Sequence, residues 1–412
     1  MKIIFTLLMS IGISVCFAQE IPYTMVRSNP IAVNPAFTGV DPGYRVGISY
    51  RNQWTNLPNA SLPGSFGRGA VFVDGRHSFG SAPNFEWGWG GMVSSQAKGE
   101  VFYKENRFLG SASLIYKGSE TYSSLPPFSL AGGFSYSYNR LSVDPSALVF
   151  SDQINPFDQT ILGQSNGFPQ EFIQARPFHS VNAGVLLRIP LEFASSPRDK
   201  RNAGGLDMSF SAGSILKQNI SLLGQINIVA PLNYSFSWTF TQKFREFGVR
   251  TSMFYQRARQ RDLQQGQGRF NHLQSGLDIV LFPSNWPWKT NINRFTVAYP
   301  LAAGVAFNTP IGNNIITDGM RELINVRGVT ALIFKVEASG IIAGSNVLTL
   351  GFSPEIALGG SGGEVFAPNG GANLEVYARI TFLNASGLKR RTGGRKGAIC
   401  PEVGWAQSMF NF

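Results

Sequence analysis

Segments of about ten residues with alternating apolar and polar side chains recur between residues 43 and 382. In the last of them one face carries only apolar side chains, namely Leu374, Val376, Ala378, Ile380 and Phe382. Successive side chains of a β-strand point to opposite faces, and a tilted strand of about ten residues crosses a bilayer. The pattern therefore predicts an all-β protein, a transmembrane antiparallel β-barrel of the outer-membrane type with short periplasmic turns and longer extracellular loops.

The spacing of these segments predicts about 14 strands. We expect them near residues 43–51, 66–75, 86–96, 106–117, 127–138, 178–190, 205–216, 231–241, 246–257, 270–282, 295–307, 328–338, 346–357 and 372–382. An even number of strands places both chain ends on the periplasmic side. The longest connection, residues 139–177, then lies outside the cell, although the polar segment 191–204 is long for a periplasmic turn.

The regions outside the strands predict export and two extensions of the barrel. Residues 1–18 resemble a cleaved signal peptide, with Lys2 before an apolar run and cleavage expected before Gln19. Residues 19–42 are polar and rich in proline, which predicts an irregular lead-in to the barrel at 43–382. Residues 383–412 form a basic, glycine-containing tail, either a periplasmic contact or a disordered end.

Composition supports a barrel and gives no sign of catalysis. The chain has 46 Gly, 33 Phe, 12 Tyr and 7 Trp, with a mean hydropathy of −0.01 that is too polar for a helical membrane protein. Its net charge of +11 is scattered, which favours loops, a polar lumen or lipid phosphates over nucleic acid. The only histidines are His77, His179 and His272, and no metal-binding spacing or nucleotide loop is present. We therefore expect a non-enzymatic protein with no cofactor, metal or catalytic residue.

Two compact motifs flank the first strand. The first motif is Asn34, Pro35, Ala36, Phe37, Thr38 and Gly39, and the second is Tyr50, Arg51, Asn52, Gln53 and Trp54. Because proline disfavours the helical conformation in the residue before it, Asn34 and Pro35 should open a turn rather than a helix. Arg51 and Trp54 are expected at a membrane boundary, where they would brace the outer end of the barrel.

These motifs closely resemble the PorP/SprF family, outer-membrane proteins of the type IX secretion system and gliding machinery of Bacteroidota. The resemblance implies a barrel that docks a secreted, adhesin-type cargo through its C-terminal domain at the cell surface. It also implies contacts with other secretion components, including periplasmic ring or lipoprotein subunits, and with outer-membrane lipid, but none with nucleic acid.

Two further stretches resemble known features. Within the long loop, the run Phe150, Asp152, Gln153, Asn155, Pro156 and Phe157 resembles a family segment and is a candidate partner-binding loop, or a plug of the pore. Tyr377 and Phe382, at the end of the last strand, resemble the signal read by the barrel-assembly machinery. The residues leave a second function open, an outer-membrane channel for small or hydrophobic solutes, and a weaker third, a hydrolase.

Overall fold

The structure is a computed structural model of the 412-residue chain. It describes residues 28–41, 43–55, 66–79, 82–98, 103–118, 128–142, 177–192, 203–216, 218, 230, 232–243, 247–259, 269–281, 295–296, 301–310, 331–342, 346–357 and 372–382. The predicted signal peptide, the tail 383–412 and all but the ends of the loop 139–177 lie outside these residues. Among the described residues, no helix has both the length and the apolar character needed to cross a membrane.

The described part of the chain is almost entirely β-structure. A short helix, α1 (Pro30–Val33), and a 3₁₀ turn (Pro35–Phe37) precede the strands. The strands are β1 Tyr44–Thr55, β2 Phe66–Phe79, β3 Ala82–Lys98, β4 Tyr103–Lys117, β5 Ser129–Ser142, β6 Pro177–Glu192, β7 Ala203–Gly213, β8 Leu232–Lys243, β9 Phe247–Arg259, β10 Arg269–Leu281, β11 Phe295–Thr296, β12 Leu301–Pro310, β13 Ala331–Ile342, β14 Asn346–Ala357 and β15 Ala372–Phe382.

Fourteen long strands close into an antiparallel barrel. Each long strand pairs with its neighbours in sequence, and β1 pairs with β15 in a register that sets Tyr44 opposite Phe382. Among the residues that the structure describes, the two-residue strand β11 pairs with the end of β13 alone. We call the end where β1 begins the lower end, and the end where β1 finishes the upper end. The lower end is the one that the sequence assigns to the periplasm.

Strand alternation separates a lipid-facing surface from a polar interior. On β1, Val46, Ile48 and Tyr50 are exposed on the outside, whereas Arg45 and Arg51 are buried on the inside. Aromatic rings also cluster on the outer surface near both ends of the strands. The ring centroids of Tyr44 and His77 lie 5.7 Å apart at the lower end, and those of Phe108 and Tyr138 lie 6.4 Å apart at the upper end. Such aromatic belts are typical of the two membrane interfaces of a barrel.

The predicted fold class and the 14 long strands are confirmed, and two details of the prediction are wrong. The segment predicted as one strand at 295–307 is split into β11 and β12. The lead-in is not irregular throughout, since residues 30–33 are helical. The turn expected at Asn34 and Pro35 is present as a 3₁₀ turn that Asn34 caps. Both short elements are held by contacts with the barrel wall, which local sequence patterns do not report.

Candidate functional site: a plug inside the barrel

The chain before β1 lies inside the barrel. We call residues 28–41 the plug. Its side chains Ser28, Asn29, Asn34 and Thr38 are at most 1% exposed, although all four are polar. Buried polar groups are costly unless they form hydrogen bonds, so the barrel wall has to supply partners.

Asn34 ties the centre of the plug to the wall. Its Oδ1 accepts a hydrogen bond from the backbone N–H of Ala36 at 2.8 Å, which caps the 3₁₀ turn. Its Nδ2 donates to the carbonyl oxygens of Val185 on β6 and Phe210 on β7, at 3.3 and 3.1 Å. One amide group therefore fixes both the local turn and its position against two strands.

Glycines in the wall make room for the plug. A Cβ atom on Gly133 of β5 would lie 2.3 Å from the carbonyl carbon and oxygen of Pro35. A Cβ atom on Gly184 of β6 would lie 2.0 Å from Oδ1 of Asn34. These distances are far below van der Waals contact, so glycine allows the Pro35 backbone and the Asn34 side chain to approach the wall this closely.

Thr38 and Gly39 carry the chain across β2–β4. The Thr38 hydroxyl lies 2.6 Å from the hydroxyl of Ser111, and Ser113 donates to the Thr38 carbonyl oxygen at 2.6 Å. Gly39 has a φ of +63°, a conformation that favours glycine, and its N–H donates to Asp74 at 2.8 Å. Gly39 of the first motif thus serves a left-handed turn inside the barrel.

Apolar contacts complete the seat of the plug. Ile31 packs with Ala70, Phe72, Met92 and Leu109 on the inner faces of β2–β4. A second cluster, lower in the barrel, joins residues of the plug to inward-facing wall residues, namely Ala36, Val40, Ile115, Ala131 and Leu186, with Phe37 packed against them. Burial of these side chains supplies a hydrophobic contribution to the docking of the plug.

Ion pairs lock the lower end of the plug. Arg45 pairs with both Asp41 of the plug and Asp74 of β2, and its guanidinium also donates to the carbonyl oxygen of Phe37 at 3.2 Å. Arg188 on β6 lies 3.4 Å from Asp41. Burial alone would raise the pKa of Asp41, but the guanidinium groups of Arg45 and Arg188 outweigh it and hold the pKa below its ordinary value.

A second chain of charges continues around the wall below the plug. Arg76 donates to the carbonyl oxygen of Val40 at 3.3 Å and pairs with Glu86 at 3.1 Å. Lys117 reaches the same carboxylate at 2.6 Å. Each of these charges faces an opposite charge, as burial inside a barrel requires.

The beginning of the plug contacts the wall higher in the barrel. The Ser28 hydroxyl donates to Glu375 of β15 at 2.6 Å. Glu375 lies opposite Arg51 in the β1–β15 register, and Arg51 pairs with Glu355 at 2.9 Å and with Glu375 at 3.8 Å. The plug therefore rises from the lower end, at Asp41, toward the upper half of the barrel.

Apart from Tyr50, Arg51 and Tyr377, the predicted site residues fall into three groups. Asn34, Pro35, Ala36, Phe37 and Gly39 belong to the plug, as described above. Phe382 ends β15 at the lower end. The run from Phe150 to Phe157 lies outside the described residues, as do the side chains of Gln53 and Trp54.

The structure corrects the role expected for Arg51, whereas Tyr50 and Tyr377 lie on the strand faces that the alternating pattern predicts, and the role of Tyr377 in assembly stays a prediction. Arg51 is 3% exposed and faces the interior, so it pairs with acidic side chains there instead of bracing an outer loop at the membrane boundary. Tyr50, of the same motif, faces outward with 49% of its surface exposed. Tyr377 is also inside, where its hydroxyl donates to Glu337 of β13. Strand alternation dictates all three positions.

Sequence reasoning missed the wall side of the plug. Asp41, Asp74, Gly133, Gly184 and Glu375 were not singled out, although the inward-facing alternation of β2 and β15 marks two of them. Their partners lie far away in sequence, which no local signal reports. Within the described residues, no group of three His, Cys, Asp or Glu side chains is arranged to hold a metal ion.

Comparison with known protein families gives one match. The model of a family described as the type IX secretion system membrane protein PorP/SprF matches residues 15–277, which include the plug and β1–β9. The chain belongs to the PorP/SprF family. Family membership and the closed barrel place this PorP/SprF protein in the outer membrane. A comparison with curated proteins found no match.

Solved structures similar to this PorP/SprF protein are outer-membrane barrels of low sequence identity. The CymD monoaromatic hydrocarbon channel is 11% identical, with a TM-score of 0.41 over 87% of this chain and 94% of that chain. A ΔS2 mutant of the TodX monoaromatic hydrocarbon channel is 9% identical, with a TM-score of 0.46 over 86% and 94%. A Pseudomonas aeruginosa FadL homologue is 12% identical, with a TM-score of 0.39 over 90% and 99%. Likeness at this level says nothing about what this barrel binds or carries.

Proposed function

We propose that this PorP/SprF protein is a non-enzymatic docking component of the type IX secretion system. It holds the C-terminal domain of a secreted, adhesin-type cargo at the cell surface and contacts periplasmic components of the machine from its lower end. The observation that supports docking over conduction is the plug, which occupies the interior of the barrel and is bonded to the wall at both ends. A barrel that holds a segment of its own chain inside is suited to presenting loops.

The long connection 139–177 is the proposed external contact. Its run from Phe150 to Phe157 combines aromatic side chains with Asp, Gln and Asn. Aromatic anchors surrounded by polar groups are the side chains that contribute most to protein interfaces, and a standard interface buries roughly 1,600 Å² in total. A loop of this length is large enough to supply one side of such a contact.

A channel for small solutes is the second candidate. The polar inner wall favours it, because many buried serines, carboxylates and guanidinium groups face the interior of the barrel. This reading requires the plug to move or to leave a path beside it. The two functions therefore differ in what happens when the loop is shortened while the barrel and the plug stay intact.

Gene deletion and loop shortening test the proposal. Deletion of the gene should abolish surface display of one adhesin while other type IX cargo is still exported. Shortening 143–176 should have the same effect, whereas shortening the connection 358–371, at the same end of the barrel, should leave display intact. Loss of all type IX export would point to a core role instead. Normal display with reduced uptake of a small solute would replace docking with the channel function.

A further inference from the structure

The charged residues of the strands are divided unevenly between the inner and outer faces of the barrel. Wherever the structure describes a strand side chain, every carboxylate faces the interior. Within the same described strands, the basic side chains that face outward are Lys104 on β4, Arg140 on β5 and Arg257 on β9. Each of them shares its strand face with outward-facing aromatic side chains. The described outer surface is therefore cationic, without carboxylates to balance it.

These outward-facing charges all lie at the upper end of the barrel. Lys104 is the second residue of β4, and Arg140 and Arg257 are the third residues from the ends of β5 and β9. A charge on the lipid side is costly in the middle of a bilayer and is tolerated near the interface, where a long side chain reaches the polar layer. The positions of the three residues thus fit the membrane interface at the end that the sequence assigns to the cell surface.

Two of these residues lie next to each other on adjacent strands. Arg140 is opposite Asn106 in the β4–β5 register, and Lys104 lies two residues before Asn106 on the same face. Lys104 and Arg140 are therefore diagonal neighbours, whose backbone positions lie roughly 7–8 Å apart in an antiparallel sheet. Both side chains are exposed, and neither forms a hydrogen bond or ion pair with another described residue. We call Lys104, Asn106 and Arg140 the upper basic patch.

A row of aromatic rings lies directly below the upper basic patch. Phe108 and Tyr138 are opposite each other in the register, one outward-facing pair below Asn106 and Arg140. The ring of His179 on β6 continues the row, with its centroid 5.6 Å from that of Tyr138. Such a row marks the level at which the hydrocarbon of the bilayer gives way to its head groups. The upper basic patch is therefore placed at head-group level.

We infer that the upper basic patch binds the phosphate groups of lipopolysaccharide, the phosphorylated glycolipid of the outer leaflet. The ammonium group of Lys104 and the guanidinium group of Arg140 donate charge-assisted hydrogen bonds to phosphate oxygens. The amide of Asn106 adds donors and an acceptor for the sugar, and the acyl chains lie against the aromatic row. Charge complementarity selects this partner, because the outer surface offers cations at head-group level and no described carboxylate that would repel a phosphate. The surface is on the outer wall, so the inference stands independently of cargo docking.

Native mass spectrometry of the purified full-length protein in detergent tests the inference. The protein is titrated with diphosphoryl lipid A, with the same lipid A after removal of both phosphates, and with phosphatidylglycerol. We expect saturable binding of diphosphoryl lipid A, and at least tenfold weaker binding of the dephosphorylated form. Phosphatidylglycerol, with one phosphate and no sugar, should also bind more weakly. Binding of phosphatidylglycerol as tight as that of lipid A would overturn the assignment to the glycolipid.

Matched variants separate the patch from general charge effects. Lys104→Gln and Arg140→Gln should each weaken binding of diphosphoryl lipid A by about fivefold, the usual contribution of one basic residue near a charged membrane surface. Arg257→Gln removes the same charge at the same level but on β9, and should change binding by less than about twofold. If one patch variant loses heat-modifiable migration, the other is compared with Arg257→Gln. An equal loss in Arg257→Gln, equal binding of both forms of lipid A, or no saturable binding would overturn the inference.

Discussion

At the scale of single residues, the plug depends on a few positions that satisfy two neighbours at once. Asn34 caps its own turn and donates to two strands, and Arg45 holds both Asp41 and Asp74. Each contact is buried, so removal of one partner leaves the other without compensation inside the barrel. The family motif at 34–39 is therefore explained by how the plug fits the wall.

Asn34→Ala should weaken the docking of the plug. The substitution leaves the backbone N–H of Ala36 and two wall carbonyls without their partner, which should lower the free energy of unfolding by about 1–3 kcal/mol. Asn84→Ala changes an exposed asparagine on β3 and should stay within about 0.5 kcal/mol of the wild type. Denaturant titration of both purified variants in detergent measures the difference, and equal stability would contradict the role given to Asn34.

Gly133→Val should displace the plug from the wall. Its Cβ would lie 2.3 Å from backbone atoms of Pro35, which cannot move away as a flexible side chain could. The neighbouring Gly132→Val is the control, because a Cβ there has no heavy atom within 4 Å. Hydrogen exchange of peptides from 28–41 should become faster in Gly133→Val and remain unchanged in Gly132→Val. The same slow exchange in both variants would show that the plug does not rest on Gly133.

The ion pairs of Asp41 should hold the plug throughout the neutral and mildly acidic range. The folded pKa of Asp41 lies below its ordinary value of 3.8, so its contribution to stability is present above that pH. The contribution is lost only as the pH falls through the lower, folded pKa. Hydrogen exchange of peptides from 28–41, corrected for the intrinsic pH dependence of exchange, should show equal protection at pH 8 and pH 5.

Asp41→Asn provides the matching variant. It removes the negative charge that faces Arg45 and Arg188, so protection of peptides from 28–41 should fall at both pH 8 and pH 5. A loss of protection in the wild type between pH 8 and pH 5 would mean that another titrating group controls the plug.

At the scale of the elements, the strands were predictable and the plug was not. Apolar and polar side chains alternate with a period of two along β1, and this alternation is visible in adjacent residues of the sequence. It therefore predicts the correct faces for Val46, Ile48 and Tyr50 on the outside and for Arg45 and Arg51 on the inside. Helix α1 has only four residues, too few for a helical pattern, and it exists because the wall packs around Ile31. The contacts of Gly133 and Gly184 with the plug could not be predicted either, because they join residues that are far apart in the sequence.

The last strand gives a prediction about assembly. Phe382 ends the apolar face of β15 and lies opposite Tyr44, where the first and last strands close the barrel. Phe382→Asp would place a charge on the lipid side at a cost of about 1–4 kcal/mol, depending on depth. Thr381→Asp puts the same charge on the other face of the strand. The level of heat-modifiable protein in outer membranes should fall in the first variant and stay near normal in the second, and the reverse order would refute the assigned faces.

At the scale of the whole molecule, the barrel, the plug and the long loops have separate roles. The apolar outer face anchors the protein in the outer membrane, and the plug occupies the interior from Asp41 to Ser28. Under the proposed function the barrel presents its loops to a secreted partner and does not conduct. Family membership supports the secretion system as the setting, and the plug supports docking within it.

Conductance of the purified protein in planar lipid bilayers tests this division most directly. The wild type should insert without opening a steady current, because the plug remains bonded to the wall. A variant that lacks residues 28–41, and that still shows heat-modifiable migration as evidence of a folded barrel, should open discrete current steps through the vacated interior. A steady wild-type conductance as large as that of the variant would contradict the account, since the interior would then be an open path and the barrel a channel.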